Sequence, residues 1–222
     1  HASTQTAVAK FSRKIAGQMK PHKPLSRHGM PNTLTLRLKY ADNIQSSVAG
    51  GVHSQMYRLN SLFDPDKTNV GHQAYFRDQI IALYNEYQIY KAELISTVDI
   101  YTADANVRTP LALCYGTEKD MATGTNMQLQ VERPYNYRRT AHVGKSTVFK
   151  KTYYNNKILG EKWSDYFLNA DFQTIVGSNP NNEANLQILL EPVDQVSTVA
   201  FTMRNELWFT VVLTDLVLPS QS

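Results

Sequence analysis

The segment MYRLNSLFDPDKTNVGHQ, Met56 to Gln73, places Asp64 and Asp66 on either side of Pro65, with His72 close behind. Carboxylates and an imidazole so near in the chain are the residue types that hold a hard cation or move a proton, so a metal or acid–base site is the first chemistry to weigh. The same residues also make turns. Proline presets φ, aspartate side chains fold back onto nearby N–H groups, and Gly71 is expected to supply a positive φ. On that reading Asp64, Asp66 and His72 are hydrogen-bonding and packing residues of a strand-to-helix crossover. An interfacial Ca2+ on Asp64 or Asp66 is the minor alternative.

Other chemistry is thinly signposted. The sequence has no Walker or dinucleotide glycine loop, no HExxH and no nucleophile elbow. Its six histidines are scattered, three of them in or beside the first 40 residues. No enzyme activity, cofactor or metal is expected. The lone Cys114 excludes an intrachain disulfide, so folding must rest on packing. No apolar run is long enough to span a membrane, and the composition points to a soluble protein of a reducing compartment. A chain opening on His1 rather than Met is expected either to be processed or to follow an upstream segment.

Charge is unevenly placed. Lys10, Arg13, Lys14, Lys20, Lys23, Arg27, Arg37 and Lys39 are the eight basic residues from His1 to Ala41, where no acid occurs. The other fifteen basic residues face all nineteen acids, so a cationic leader joins a mildly acidic body. Such a block neutralises phosphates without a fixed shape, which makes it an arm for nucleic acid rather than a plain solubility tail. The first six of these cations are expected to be flexible contacts, and Arg37 and Lys39 ordered ones. Residues 1–32 form the arm and 33–222 the folded domain.

The elements that must position this chemistry read as strands. Thr33–Tyr40 alternates strictly, with Leu34, Leu36, Leu38 and Tyr40 on one face and Arg37 and Lys39 on the other. A second strand spans about Val52 to Leu62. Ile80, Leu83, Tyr84 and Tyr87 form one helical stripe, and alternation resumes from Tyr87 to Tyr101. Leu111–Gly116 is a short apolar strand. Residues 117–142 read as irregular or weakly helical, with Arg133–Arg139 mixing cations and rings that suit either single-stranded nucleic acid or a neighbouring subunit. Val143–Tyr154 is a strand carrying Lys145, Lys150 and Lys151, followed by an irregular link holding Trp163, Tyr166 and Phe167. A strand near Leu186–Leu190 precedes a long one, Thr198 to Leu218, in which a bulge or bend is expected near Asn205. Eight strands and no βαβ rhythm predict an all-β sandwich of two four-stranded sheets, with the eight-stranded single jelly roll as the leading form. Its long loops suit packing against neighbours in an assembly.

The residues Tyr57-Arg-Leu-Asn-Ser-Leu-Phe-Asp-Pro-Asp66, Val70-Gly-His-Gln73, Asp78-Gln79, Leu83-Tyr84 and Tyr87 resemble a segment of the capsid proteins of small circular Rep-encoding single-stranded DNA viruses, the group that includes the circoviruses. The resemblance covers about residues 56–101. It implies a jelly roll with a short helix between the second main strand and the fourth. It further implies an icosahedral shell of 60 identical subunits, a single-stranded DNA genome packaged by the basic arm, and a location in the virion, with the host nucleus as the place of assembly. Membrane insertion is not implied. The family's leader is richer in arginine than the lysine-mixed one here. A cellular jelly-roll binding module for carbohydrate or single-stranded nucleic acid is the alternative reading.

Overall fold

In a computed structural model of the chain, the described residues are 31–68, 71–101, 108–122, 124, 126–133 and 135–217. They form two antiparallel sheets packed face to face. The first holds β1 (Leu34–Ala49), β9 (Thr198–Leu216), β3 (Tyr84–Tyr101) and β6 (Thr147–Tyr154) in that order, with the two-residue β7 (Thr174–Ile175) also paired to β3. The second holds β2 (His53–Arg58), β8 (Ala184–Pro192), β4 (Leu111–Lys119) and β5 (Tyr137–Ala141). The chain crosses from one sheet to the other after β1, β2, β3, β5, β7 and β8. That strand order in both sheets is a single jelly roll.

The core is the gap between the sheets. Leu38, Tyr40, Leu94, Phe201, Met203, Leu207 and Phe209 point inward from the first sheet, and Tyr57, Leu113, Tyr115, Leu186, Ile188 and Leu190 from the second. Each such large apolar side chain contributes about 1.5–3 kcal/mol by leaving water. Short helices fill the connections: α1 (Arg77–Ile81), α2 (Met127–Glu132), α3 (Asn155–Ile158) and α4 (Trp163–Leu168).

Several elements depart from the sequence reading. β1 continues nine residues past Tyr40, because β9 offers it an unbroken antiparallel partner from Leu213 to Thr198. β2 ends at Arg58, and Leu59 is instead held by its N–H on Ala184 O at 2.7 Å. The expected helical stripe is split, since α1 spans only five residues and Tyr84 and Tyr87 belong to β3, where both are buried. α1 leads into β3, the third strand in chain order. The stretch 117–142 contains both α2 and the edge strand β5, and the Trp163 link is α4.

The bulge lies elsewhere. β9 runs straight through Asn205, paired with Asp42 on one side and Ser96 on the other, and the register shift falls in β3 between Ile89 and Lys91. Asn205 stays in register because its amide finds a partner across the core, Tyr57 Oη at 2.8 Å. Gly71 is needed for space rather than for a positive φ: a Cβ there would stand 2.6 Å from Asp66 Cβ and 2.9 Å from Tyr40 Oη.

Candidate nucleic-acid interface and assembly surface

Asp64, Asp66 and His72 are architectural. Asp66 accepts from Gln55 Nε2 (2.9 Å), Thr68 N (2.9 Å) and Thr68 Oγ1 (2.8 Å), and the residue bridges to Tyr57 in β2. Asp64 accepts from Arg58 Nη1 at 2.8 Å. Arg58 also donates from Nε to Glu183 Oε1 (2.6 Å), whose other oxygen takes Lys67 Nζ at 2.6 Å. Asp64, Arg58, Glu183 and Lys67 thus form a closed, charge-neutral chain that ties the crossover to the start of β8. Burial pushes the Glu183 carboxyl up, yet the hydrogen bonds from Lys67 and Arg58 outweigh it and hold the group below the usual glutamate range. Both carboxylate oxygens of Asp66 and one of Asp64 are thereby committed to the crossover.

His72 closes the edge of β1. Its Nε2 lies 2.8 Å from Ala41 O and its Nδ1 2.8 Å from Gln73 O, while the ring packs on Tyr40 with centroids 4.7 Å apart. Tyr75 N–H donates to Lys39 O at 3.0 Å, so two carbonyls of that edge are occupied by the crossover. The turn reading of this segment is the one its geometry shows.

Of the eight cations assigned to nucleic acid, Lys10, Arg13, Lys14, Lys20, Lys23 and Arg27 lie outside the described residues. Arg37 and Lys39 are on the outer face of the first sheet, as the alternation predicts, but carboxylates meet both. Arg37 Nη2 reaches Glu93 at 2.5 Å and Lys39 Nζ reaches Glu206 at 2.9 Å. Between these pairs sits Trp208, with the Arg37 guanidinium 5.1 Å and Lys39 Nζ 5.3 Å from its ring centroid. Lys91 also bonds Glu93, and that bond leads the effects that hold the Glu93 carboxyl below its ordinary range. Surface pairs of this kind are worth about 0–1 kcal/mol, so a phosphate can displace them, but it must compete for each cation.

A second cationic block is divided in the sequence between the Arg133–Arg139 segment and the strand that carries Lys145, Lys150 and Lys151. Residues 133–160 carry Arg133, Arg138, Arg139, Lys145, Lys150, Lys151 and Lys157 and no acid, a signal as plain in the sequence as the leader's. Folding brings its centre together as β5 and β6, edge strands of opposite sheets on one open side of the sandwich. Tyr137 and Phe149 meet there at 5.9 Å, with Lys151 Nζ 4.1 Å from the Tyr137 ring and the Arg139 guanidinium 5.7 Å from Phe149. Arg138 and Lys150 project from the two outer faces. None of the ion pairs among the described residues includes Arg138, Arg139, Lys145, Lys150 or Lys151.

Large apolar side chains are also left in water. Tyr75, Leu168, Ile175 and Val196 are 72%, 84%, 68% and 80% exposed, each in a connection or in the two-residue β7. Phe76 beside Tyr75 holds a left-handed φ of 64°, which presents the ring at the surface as the chain enters α1. The aromatic link Trp163–Phe167 is turned inward, with Trp163, Phe167 and Tyr90 packed against one another.

No family model and no curated protein matches the sequence. Among solved structures, the chain is similar to Desmodium yellow mottle tymovirus (13% identity over 92% of this chain and 99% of that one, TM-score 0.41). It is also similar to a decameric BFDV capsid protein (13%, 82% and 99%, TM-score 0.42) and to Cucumber leaf spot virus (6%, 88% and 55%, TM-score 0.46). At these scores the likeness adds nothing to what the strand order already establishes.

Proposed function

We propose that this chain is the structural subunit of a small viral capsid, self-assembling into an icosahedral shell of 60 copies around a single-stranded DNA genome. The observation that carries the reading is the pairing of a filled jelly-roll core with apolar side chains held out in water by its connections, Tyr75, Leu168, Ile175 and Val196 among them. A lone subunit gains nothing from that surface; identical neighbours bury it, and many modest contacts repeated by symmetry stabilise a closed shell. The resemblance of residues 56–101 to circovirus-type capsid proteins supports the same reading and supplies the preference for DNA. The cations from Lys10 to Arg27 neutralise genome phosphates without reading sequence, with Arg37 and Lys39 as further contacts. The particle is the virion, assembled in the host nucleus.

Light scattering and negative-stain microscopy of the purified chain test this. Particles of tens of subunits are the expected result. A monomer or small oligomer at high concentration with oligonucleotide supplied overturns the reading in favour of a binding module.

A further inference from the structure

We propose that the open side of the sandwich where β5 meets β6 is an ordered contact for single-stranded nucleic acid, in which Arg138, Arg139, Lys150 and Lys151 hold phosphates and Tyr135 stacks a base. The proposal rests on the packaging role above and adds to it a fixed site on the folded domain.

Charge is the first ground. Arg37 and Lys39 have carboxylate partners at 2.5 and 2.9 Å, whereas the four seam cations have none among the described residues. Like charges gathered on one edge repel, and a bound polyanion relieves that repulsion while releasing its own counterions. Shape is the second. Arg139 and Lys151 rest over the Phe149 and Tyr137 rings in the gap between the sheets, so their heads are held at the rim before any ligand arrives. Arg138 and Lys150 continue the positive strip onto the two outer faces. A strip that wraps an edge fits a chain of phosphates better than a single anion.

The ring is the third ground. Tyr135 is 62% exposed, two residues before Tyr137, and a left-handed φ of 62° sets it at the turn into β5. Cations interleaved with accessible rings are what single strands require, since their bases are free to stack. A duplex hides those faces, and a sulfated polysaccharide has none.

The test uses the full-length chain and a fluorescent oligo-dT, with anisotropy titrations across a salt series. Replacing all four cations (R138Q/R139Q/K150Q/K151Q) is expected to lower the slope of log Kobs against log salt by about 3, at about 0.7 per phosphate contact, and to weaken binding by at least about tenfold near physiological salt. Tyr135→Ala is expected to weaken oligo-dT about fivefold or more while leaving heparin binding unchanged. An unchanged slope in the fourfold variant overturns the proposal. So does an equal loss of heparin and oligo-dT with Tyr135→Ala silent, which makes the seam a polysaccharide surface. Arg139 and Lys151 pack on rings, so if the fourfold variant misfolds by circular dichroism, R138Q/K150Q carries the test with about half the slope change. Light scattering keeps the two readings apart: absence of wild-type particles refutes the shell, whereas normal particles with an unchanged slope refute the seam alone.

Discussion

Asn205 of β9 donates its side-chain amide to Tyr57 Oη across the core at 2.8 Å, and Tyr57 donates in turn to Asp42 Oδ2 of β1 at 2.9 Å. One hydroxyl therefore joins the two sheets, and both groups on the far sheet depend on it. Burial, followed by the Asp42 charge, keeps the phenol protonated well above its ordinary range, so it remains a donor throughout the accessible pH range.

Tyr57→Phe leaves the Asn205 amide and one Asp42 oxygen without that partner. Loss of about 1–3 kcal/mol is expected, because an unsatisfied buried polar group costs its full desolvation. Urea unfolding measures it. Adding Asn205→Leu to Tyr57→Phe is expected to return part of the loss, since removing both partners leaves fewer orphans.

The charged chain on Arg58 is expected to behave as one unit. Arg58→Met strands Asp64, leaves Glu183 with Lys67 alone, and costs about 3 kcal/mol, well beyond the effect of replacing an exposed cation such as Lys150. Glu183 has its folded pKa held down, so its contribution is complete above the ordinary glutamate range and is lost as pH falls through the folded value. Glu183→Gln is therefore expected to flatten the acid limb of a stability curve measured by urea midpoints, while lowering the plateau at neutral pH.

His53 gives a second, separate acid limb. Burial against Phe201, at 5.1 Å between ring centroids, pushes its imidazole below the ordinary histidine value, and Nε2 has no partner among the described residues. Folding thus favours the neutral ring. Stability is full above the unfolded histidine pKa and falls as pH drops toward the folded one, a window of mild acidity above the carboxylate range. His53→Phe is expected to remove that step in thermal melts taken through the window and to leave the Glu183 step in place.

Leu168→Asp and Val196→Asp address assembly. Both side chains are more than three-quarters exposed, so each change is expected to alter monomer stability by no more than about 0.5 kcal/mol. Particle yield by light scattering is expected to collapse, because a carboxylate would be desolvated at every copy of the contact. Intact particles in both variants would remove these residues from the interface.

Much of the architecture is legible without coordinates. Alternation in β1, β3 and β9 exposes the inward set directly, since each strand has one wet face, and Asp64-Pro65-Asp66 announces a turn by side-chain chemistry alone. Edge strand β5 is hidden for a physical reason: its inward positions are Tyr137, Arg139 and Ala141, and an edge tolerates a cation lying over a ring where a central strand does not. The short α1 misleads because Tyr84 and Tyr87 fit a helical period while both are buried residues at the start of β3. The pairing of Arg37 with Glu93 and Lys39 with Glu206 is equally invisible, because the partners are far apart in the chain and only the sheet order aligns them, Glu206 on β9 beside β1 and Glu93 on β3 one strand further. The cation count of residues 133–160 is plain in the sequence, and what folding adds is that its two halves face one another.

The carbonyls of Lys39 and Ala41 that Tyr75 and His72 occupy belong to the rim of the first sheet. A rim left bare invites another copy to add its own strand, and growth of that kind runs on without limit into fibres. With this one stoppered by its own crossover, copies are steered toward joining through side chains and loops, whose fixed angles can turn a growing array back on itself until it shuts.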